Sequence, residues 1–246
     1  MYGILKKKYG QNFLIDKNIL LKISNLISIK NLNIIEIGPG DGSLTDYILN
    51  FHPKKLTLVE VDSDLIPILN SRFNKSKNIK IINKDILRYE LDKKVDLVIS
   101  NLPYNISSQI LVKLCLTKYL PGRLILMFQK EFGQRLLDKK LNSLNSLINC
   151  FYKVDTGFQV SKNCFRPIPR VESIVLSFTR KKNFLIDRNK VLEFIKFKQI
   201  LFSQKRKTLN NTLKNFKFNK EEFDLSRRVE DISLNQLIKI FKNISF

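Results

Sequence analysis

Between residues 33 and 137 the chain repeats one pattern, and that pattern limits its possible folds more than any other feature. Short apolar, largely β-branched runs ("NIIEI", "KLTLVE", "NIKIIN", "VDLVIS", "RLILMFQ") alternate with segments whose apolar residues recur at helical spacing ("SLTDYIL", "SDLIPILNSRF", "SSQILVKLCLTKYL", "EFGQRLLDKK"). Strands that alternate with helices pair in parallel, because each helix crosses back over the sheet. The fold class read from this is α/β: a parallel sheet with helices on both faces. A further helix precedes it in "DKNILLKISNLI", with Asp16 as its cap.

The pattern changes after the fifth strand. "FYKVDTGFQV" and "VESIVLSF" read as two strands that close the sheet as a hairpin-like edge, flanking the proline-stiffened "CFRPIPR". Beyond Lys181 only helical segments are expected, around Lys190–Leu201, Lys205–Leu213, Lys220–Ser226 and Leu234–Phe241. This gives a domain over residues 1–181 and a small all-helical domain over 182–246, with no internal repeat.

Charge and chemistry narrow the function. The chain of 246 residues carries a net +22, which suits a nucleic acid or an anionic membrane surface. Part of that charge reflects composition: there is no Ala and no Trp, while Lys, Asn and Ile abound, as in an AT-rich genome. The charge is nevertheless clustered. Residues 180–246 hold 17 Lys+Arg against 7 Asp+Glu, a net of +10 in 67 residues, whereas the first 179 net +12. The single histidine, His52, and three cysteines without paired spacing argue against a zinc site or a histidine-assisted nucleophile. The first residues lack the apolar core of a signal peptide and no uncharged apolar run reaches spanning length, so a cytoplasmic protein with reduced thiols is expected.

Four strand ends carry candidate sites. "EIGPGDG" at Glu36–Gly42 follows the first strand of the repeating pattern, where glycines permit a tight turn and close backbone approach to a ligand. Its Gly38-x-Gly40-x-Gly42 spacing differs from the dinucleotide fingerprint. The acidic Glu36 suits a loop facing a sulfonium and an amino acid rather than a pyrophosphate; a purely structural turn is the alternative. Glu60 ends the second strand, where a carboxylate can accept both hydroxyls of a ribose; Asp62 competes nearby but points to the other face or opens the next helix. Asp85 follows the third strand, placed to accept from an adenine amine with Ile86 against the ring, or simply to cap a helix.

The fourth end is "NLPY". Pro103 cannot donate to a ladder and belongs just past a strand. A purine amine is a poor nucleophile because its lone pair is delocalised into the ring. Accepting hydrogen bonds from its two hydrogens helps, and the Asn101 side-chain oxygen and Leu102 carbonyl are placed for that. Tyr104 offers a flat face for stacking an extruded base. No strong general base is required, since a methylated ammonium loses its proton readily.

"YGQNFL", "EIGPGDGSLT", "VEVD", "NLPYNISS", "FRPIPRVES" and "SQKRKTLNNTL" occur in this order. Together they make the chain resemble the ribosomal RNA adenine dimethyltransferases, most closely the bacterial small-subunit branch, over nearly its whole length, which implies a Rossmann-like methyltransferase domain with a small helical C-terminal domain. The resemblance implies S-adenosylmethionine as cofactor and, as substrate, two adjacent adenosines near the 3′ end of 16S rRNA within the immature small ribosomal subunit. It implies cofactor contacts at Asn12, Leu14, Gly38, Gly40, Glu60, Asp85, Ile86 and Asn101. It implies a target-base pocket at Asn101, Leu102, Pro103 and Tyr104, with Phe165 as a second aromatic wall. It also implies RNA contacts at Lys205, Arg206 and Lys207 in the helical domain. No metal and no membrane are implied, and a monomer is the default.

Two departures stand out. The segment "EFGQRLLDKKLNSLNSLINC" is shortened and lacks the family's Tyr-Gly, and the basic motif has Lys205 and Asn210 where the family has more basic residues. Two other functions stay open at this point: methylation of large-subunit rRNA, and an assembly factor acting mainly by binding.

Overall fold

The computed structural model describes residues 12–92 and 94–244. In chain order the elements are β1 (Phe13–Leu14), α1 (Lys17–Ser24), β2 (Asn33–Ile37), α2 (Ser43–Leu49), β3 (Lys55–Glu60), α3 (Ile66–Phe73), β4 (Ile79–Asn83), β5 (Leu97–Asn101), α4 (Ser107–Leu116), β6 (Arg123–Gln129), α5 (Lys130–Leu137), α6 (Ser143–Phe151), β7 (Tyr152–Val160), β8 (Phe165–Arg166), β9 (Ser173–Arg180), α7 (Val191–Ser203), α8 (Leu209–Thr212) and α9 (Leu234–Asn243). Contacts divide the chain into two compact units: Met1–Gln134 with Lys153–Arg180, and Arg135–Tyr152 with Lys181–Phe246. Residues 135–152, read from sequence with the first domain, therefore pack with the C-terminal residues.

The first unit is built on a seven-stranded sheet in the order β4-β3-β2-β5-β6-β9-β7. The five strands of the repeating pattern are parallel. β9 then runs antiparallel to β6 over seven residue pairs, from Arg123↔Thr179 to Gln129↔Ser173, and β7 lies outside it. The sheet is thus mixed rather than purely parallel, with the two late strands forming one edge.

Burial follows from position in the sheet. On one face Ile34, Leu56, Leu58, Leu97, Ile99, Ile125 and Met127 share a core with Leu20 and Ile23 of α1, Leu44 and Ile48 of α2, and Leu69 and Phe73 of α3. The alternate residues Ile35, Val98, Leu124, Leu126 and Phe128 are buried as well. Central parallel strands covered on both faces read as continuous apolar runs, which is why these segments were recognisable. The chain order turns back between β2 and β5, the switch point where open α/β sheets form a crevice.

Local chemistry sets the boundaries. Asp16 caps α1 by accepting from the amides of Asn18 and Ile19 at 2.9 and 3.0 Å. α6, to which the sequence reading assigns no element, starts with a reciprocal cap: Asn142 accepts from Asn145 N–H at 2.9 Å, and the Asn145 side chain accepts from Asn142 N–H at 2.8 Å. β1 and β8, two residues each, pair antiparallel, Leu14 opposite Phe165.

In the second unit α7 and α9 fall where expected. Phe194 and Phe197 of α7 pack on Phe241 of α9 with ring centroids 5.1 and 5.5 Å apart. The buried Lys198 ammonium donates to the Ser143 carbonyl at 2.7 Å and hydroxyl at 2.9 Å, tying α7 to α6. The expected helix over Lys205–Leu213 shrinks to α8, because Lys205, Arg206 and Lys207 occupy an exposed turn and Thr208 bridges to Arg228. The one expected over Lys220–Ser226 is a single 3-10 turn at Lys220–Glu222. Among the described residues no helix is long and apolar enough to cross a membrane, and no His/Cys/Asp/Glu cluster has the make-up of a metal site.

Candidate cofactor pocket and target site

The carboxyl ends of β2, β3, β4 and β5 converge on one pocket of about 890 Å³, counting the space open to solvent. Asn12, Leu14, Gly38, Gly40, Glu60, Asp85, Ile86 and Asn101 all line it, and so do Leu102, Pro103 and Tyr104. Asn12 and Asn101, 89 positions apart, meet there.

The glycine turn forms the pocket's first wall. Gly38 and Gly40 both have φ +62°, a region that costs an L side chain about 1–2 kcal/mol. At Gly40 space is short too: a Cβ would lie 2.8 Å from the Phe13 ring. The Gly40 amide donates to the Glu60 carboxylate at 3.2 Å, and the Asp62 amide donates to its other oxygen at 2.9 Å. Glu60 is therefore held by backbone at the pocket edge. Burial raises its pKa, against the lowering effect of those amides. Asp62 is buried, accepts from the Asp64 amide at 3.2 Å and does not line the pocket, in keeping with an orientation away from the site.

Glu36 lies deeper, 1% exposed, and accepts a hydrogen bond from the Thr45 hydroxyl at 2.7 Å. Burial pushes its pKa up to about 8, with the charges of Asp41, Glu60 and Asp46 adding to the effect. Asp85 both caps a turn and lines the pocket. One oxygen caps the turn at Ile86–Arg88 by accepting from Leu87 N–H at 2.9 Å, and the residue lines the pocket beside the buried Ile86.

The target site begins where β5 ends. Asn101 donates through Nδ2 to the Asn12 carbonyl at 2.9 Å, which leaves Oδ1 as its acceptor. Asn12, which only the family resemblance singled out as a cofactor contact, lines the pocket and holds the Asn101 amide through its carbonyl. Leu102 is buried, and the Pro103 carbonyl accepts from the Ser107 hydroxyl at 3.1 Å, tightening the turn into α4. The Tyr104 hydroxyl shares a 2.6 Å hydrogen bond with Ser173 Oγ, and burial raises the Tyr104 pKa. The phenol is neutral at working pH and its hydroxyl end is held by Ser173.

Phe165 does not line the pocket. It is fully buried in β8, packed in the core with Leu14. The β1–β8 ladder accounts for this, since it places Phe165 opposite the residue that forms the rim. Ser173 and Thr45 escaped the sequence reading. Each acts on a pocket residue through a contact to which no local pattern points, 69 positions apart for Ser173 and Tyr104. Tyr9, Gly10 and Gln11 of "YGQNFL" lie outside the described residues. Lys205, Arg206 and Lys207 belong to the second unit, all three exposed.

The donor set fits a cofactor with a sulfonium, an amino acid, a ribose and an adenine: buried carboxylates at the ends of two strands, an aspartate next to an apolar residue at a third, and a left-handed glycine turn between them. Fold and pocket define an S-adenosylmethionine-dependent methyltransferase. Comparison with known proteins narrows the class. The family model described as ribosomal RNA adenine dimethylase matches residues 4–245. The ribosomal RNA small subunit methyltransferase A of Mycoplasmopsis pulmonis is 41% identical over 222 residues, covering 88% of this chain and 86% of that protein. Its namesake from Pelagibacter ubique is 40% identical over 260 residues, covering 98% and 97%. Among solved structures, a dimethyladenosine transferase from Plasmodium falciparum superposes with a TM-score of 0.81 at 28% identity, over 95% of this chain and 100% of that one. The 23S rRNA methyltransferase ErmE shares the fold, with a TM-score of 0.76 at 20% identity over 94% and 99%. The chain belongs to the ribosomal RNA adenine dimethylase family.

Proposed function

We propose that this chain transfers methyl groups from S-adenosylmethionine to N6 of two adjacent adenosines near the 3′ end of 16S rRNA, giving N6,N6-dimethyladenosines as the small subunit matures in the cytoplasm. The observation that carries this is the Asn101–Tyr104 turn at the mouth of the pocket, with Asn101 held by Asn12 and Tyr104 held by Ser173.

Bound in the pocket, S-adenosylmethionine supplies a methyl group activated by the neighbouring sulfonium charge. The rest is the work of this chain's residues. Glu60 accepts from ribose hydroxyls, Asp85 accepts from the adenine amine, and Ile86 packs on the ring. Gly38 and Gly40 let the backbone approach, and Asn12 and Leu14 close the rim. Tyr104 stacks on the extruded target base and holds it in plane. Asn101 Oδ1 and the Leu102 carbonyl accept the two hydrogens of the target amine, which draws its lone pair out of conjugation and towards the methyl group. Pro103 fixes the turn that aims both acceptors. After transfer the ammonium is acidic and gives its proton to water, so no buried base is needed. A second turnover on the same nitrogen uses the one hydrogen that remains.

Lys205, Arg206 and Lys207 would contact rRNA phosphates from the C-terminal unit, and the chain would act as a monomer. The small-subunit substrate is favoured by the naming of the relatives at 40–41% identity, whereas ErmE shares the fold alone. The test offers purified chain and labelled S-adenosylmethionine to separate small and large subunits from a strain lacking this activity. Label is expected in the small subunit. Label confined to the large subunit, or absent from both, would refute the proposal.

A further inference from the structure

Beside the target site, at the carboxyl end of β6, a second cleft opens in the first unit. Lys130 and Glu131 line one side, at the start of α5; Lys162, after β7, and Arg170 and Glu172, ahead of β9, line the other. The path to Tyr104 is short. Ser173, which shares a hydrogen bond with Tyr104, follows Glu172 directly and pairs with Gln129 across the β6–β9 ladder. The Lys130 amide donates to the Glu172 carbonyl at 2.9 Å, so the same two strand ends form the cleft and anchor the stacking ring.

The cleft holds three cations and two carboxylates. Although they share one concavity, none of the five takes part in an ion pair among the described residues. Cations that their neighbours leave unpaired in a concave site suit an anion that reaches several of them together. An adenosine whose base enters beside Tyr104 stays attached to two phosphodiesters. Those must lie at the pocket mouth, within about one nucleotide of the ring.

We propose that this cleft seats the phosphodiester backbone of the RNA strand next to the target adenosine, with Lys130, Lys162 and Arg170 as the phosphate contacts. The proposal rests on the reading of Asn101–Tyr104 as the target site. Arg170 offers a planar fork for two phosphate oxygens, and the lysines act as point charges. Glu131 and Glu172 line the same cleft and repel phosphate, which restricts where along the strand the backbone can sit. The cleft reads no base edge; it sets register and leaves specificity to other parts of the chain.

The test replaces Lys130, Lys162 and Arg170 together by Gln in the full-length chain. KM for immature small subunits is expected to rise about tenfold or more, with kcat and S-adenosylmethionine affinity unchanged. The slope of log affinity against log salt should shrink by about two, at roughly 0.7 for each lost single-strand phosphate contact. Glu131→Gln should act in the opposite direction and lower KM, a change that a folding defect does not produce. If the triple variant fails to fold, the exposed pair Lys162→Gln and Arg170→Gln carries the same test. A wild-type KM and salt slope in these variants would overturn the proposal. If the wild-type chain binds subunits without transferring methyl groups, the transfer reading fails, and the difference in binding slope still decides the cleft.

Discussion

Asn101 Nδ2 donates to the Asn12 carbonyl, and the proposed role of Oδ1 is to accept from the target amine. On that proposal, Asn101→Ala removes an acceptor used as the amine becomes nucleophilic. By analogy with deleting one preorganised group from an oxyanion hole, kcat is expected to fall by about 10²- to 10³-fold, read by single-turnover methyl transfer. Ser173 acts one step further out. Ser173→Ala and Tyr104→Phe each break the same 2.6 Å hydrogen bond, so each should slow transfer by about 2- to 13-fold, the equivalent of 0.5–1.5 kcal/mol. The double variant should be no slower than the worse single, and additive losses would show that the two act separately. Glu36 gives a pH signature. Its folded pKa of about 8 lies above its ordinary 4.5, so between those values the folded state holds a proton that the unfolded state releases. Stability of the cofactor-free chain therefore falls as pH rises through that window, and the Glu36 contribution is fully retained only below about 4.5. Melting temperatures of wild type and Glu36→Gln across pH 5–8 should converge at the acid end and separate towards pH 8, with the variant higher. Curves that stay parallel would contradict a protonated Glu36.

Among the elements, the glycine turn between β2 and α2 carries the sharpest expectation. Gly40→Ala places a Cβ against the Phe13 ring in a left-handed backbone region. A loss of about 1–2 kcal/mol is expected from backbone conformation alone, together with weakened S-adenosylmethionine binding; thermal melting and calorimetry check both. The elements that positioned this turn were legible because buried parallel strands and amphipathic helices each write a period into the sequence. Asp16, Gly38, Glu60, Asp85 and Asn101 all stand where such a period ends, and that made them visible. β1 and β8 were not, since two residues cannot show alternation and their pairing spans the chain. α6 was hidden in "LNSLNSLINC", where Asn and Ser resemble a loop until Asn142 and Asn145 are seen to cap each other. The shortened α8 has the opposite cause: helical spacing was present, but the Lys205–Lys207 turn and the Thr208–Arg228 bridge take the backbone elsewhere.

For the molecule as a whole, the sheet accounts for where the chemistry sits, and charge accounts for the class of substrate. The net +22 pointed to a polyanion, although composition bias inflates it. Tertiary contacts give it definition: cations without an ion pair among the described residues share a cleft near Tyr104, and an exposed basic turn stands in the second unit. Neither arrangement could be read from charge counts, because Lys130 and Arg170 are 40 positions apart in sequence and meet only through the β6–β9 ladder. Double methylation of neighbouring adenosines can be read in a single measurement. Small subunits lacking this modification are incubated with the chain and S-adenosylmethionine, and the 3′-terminal fragment of their RNA is weighed by mass spectrometry. Four added methyl groups are expected, two on each of two adjacent adenosines; an unchanged fragment would contradict dimethylation by this chain.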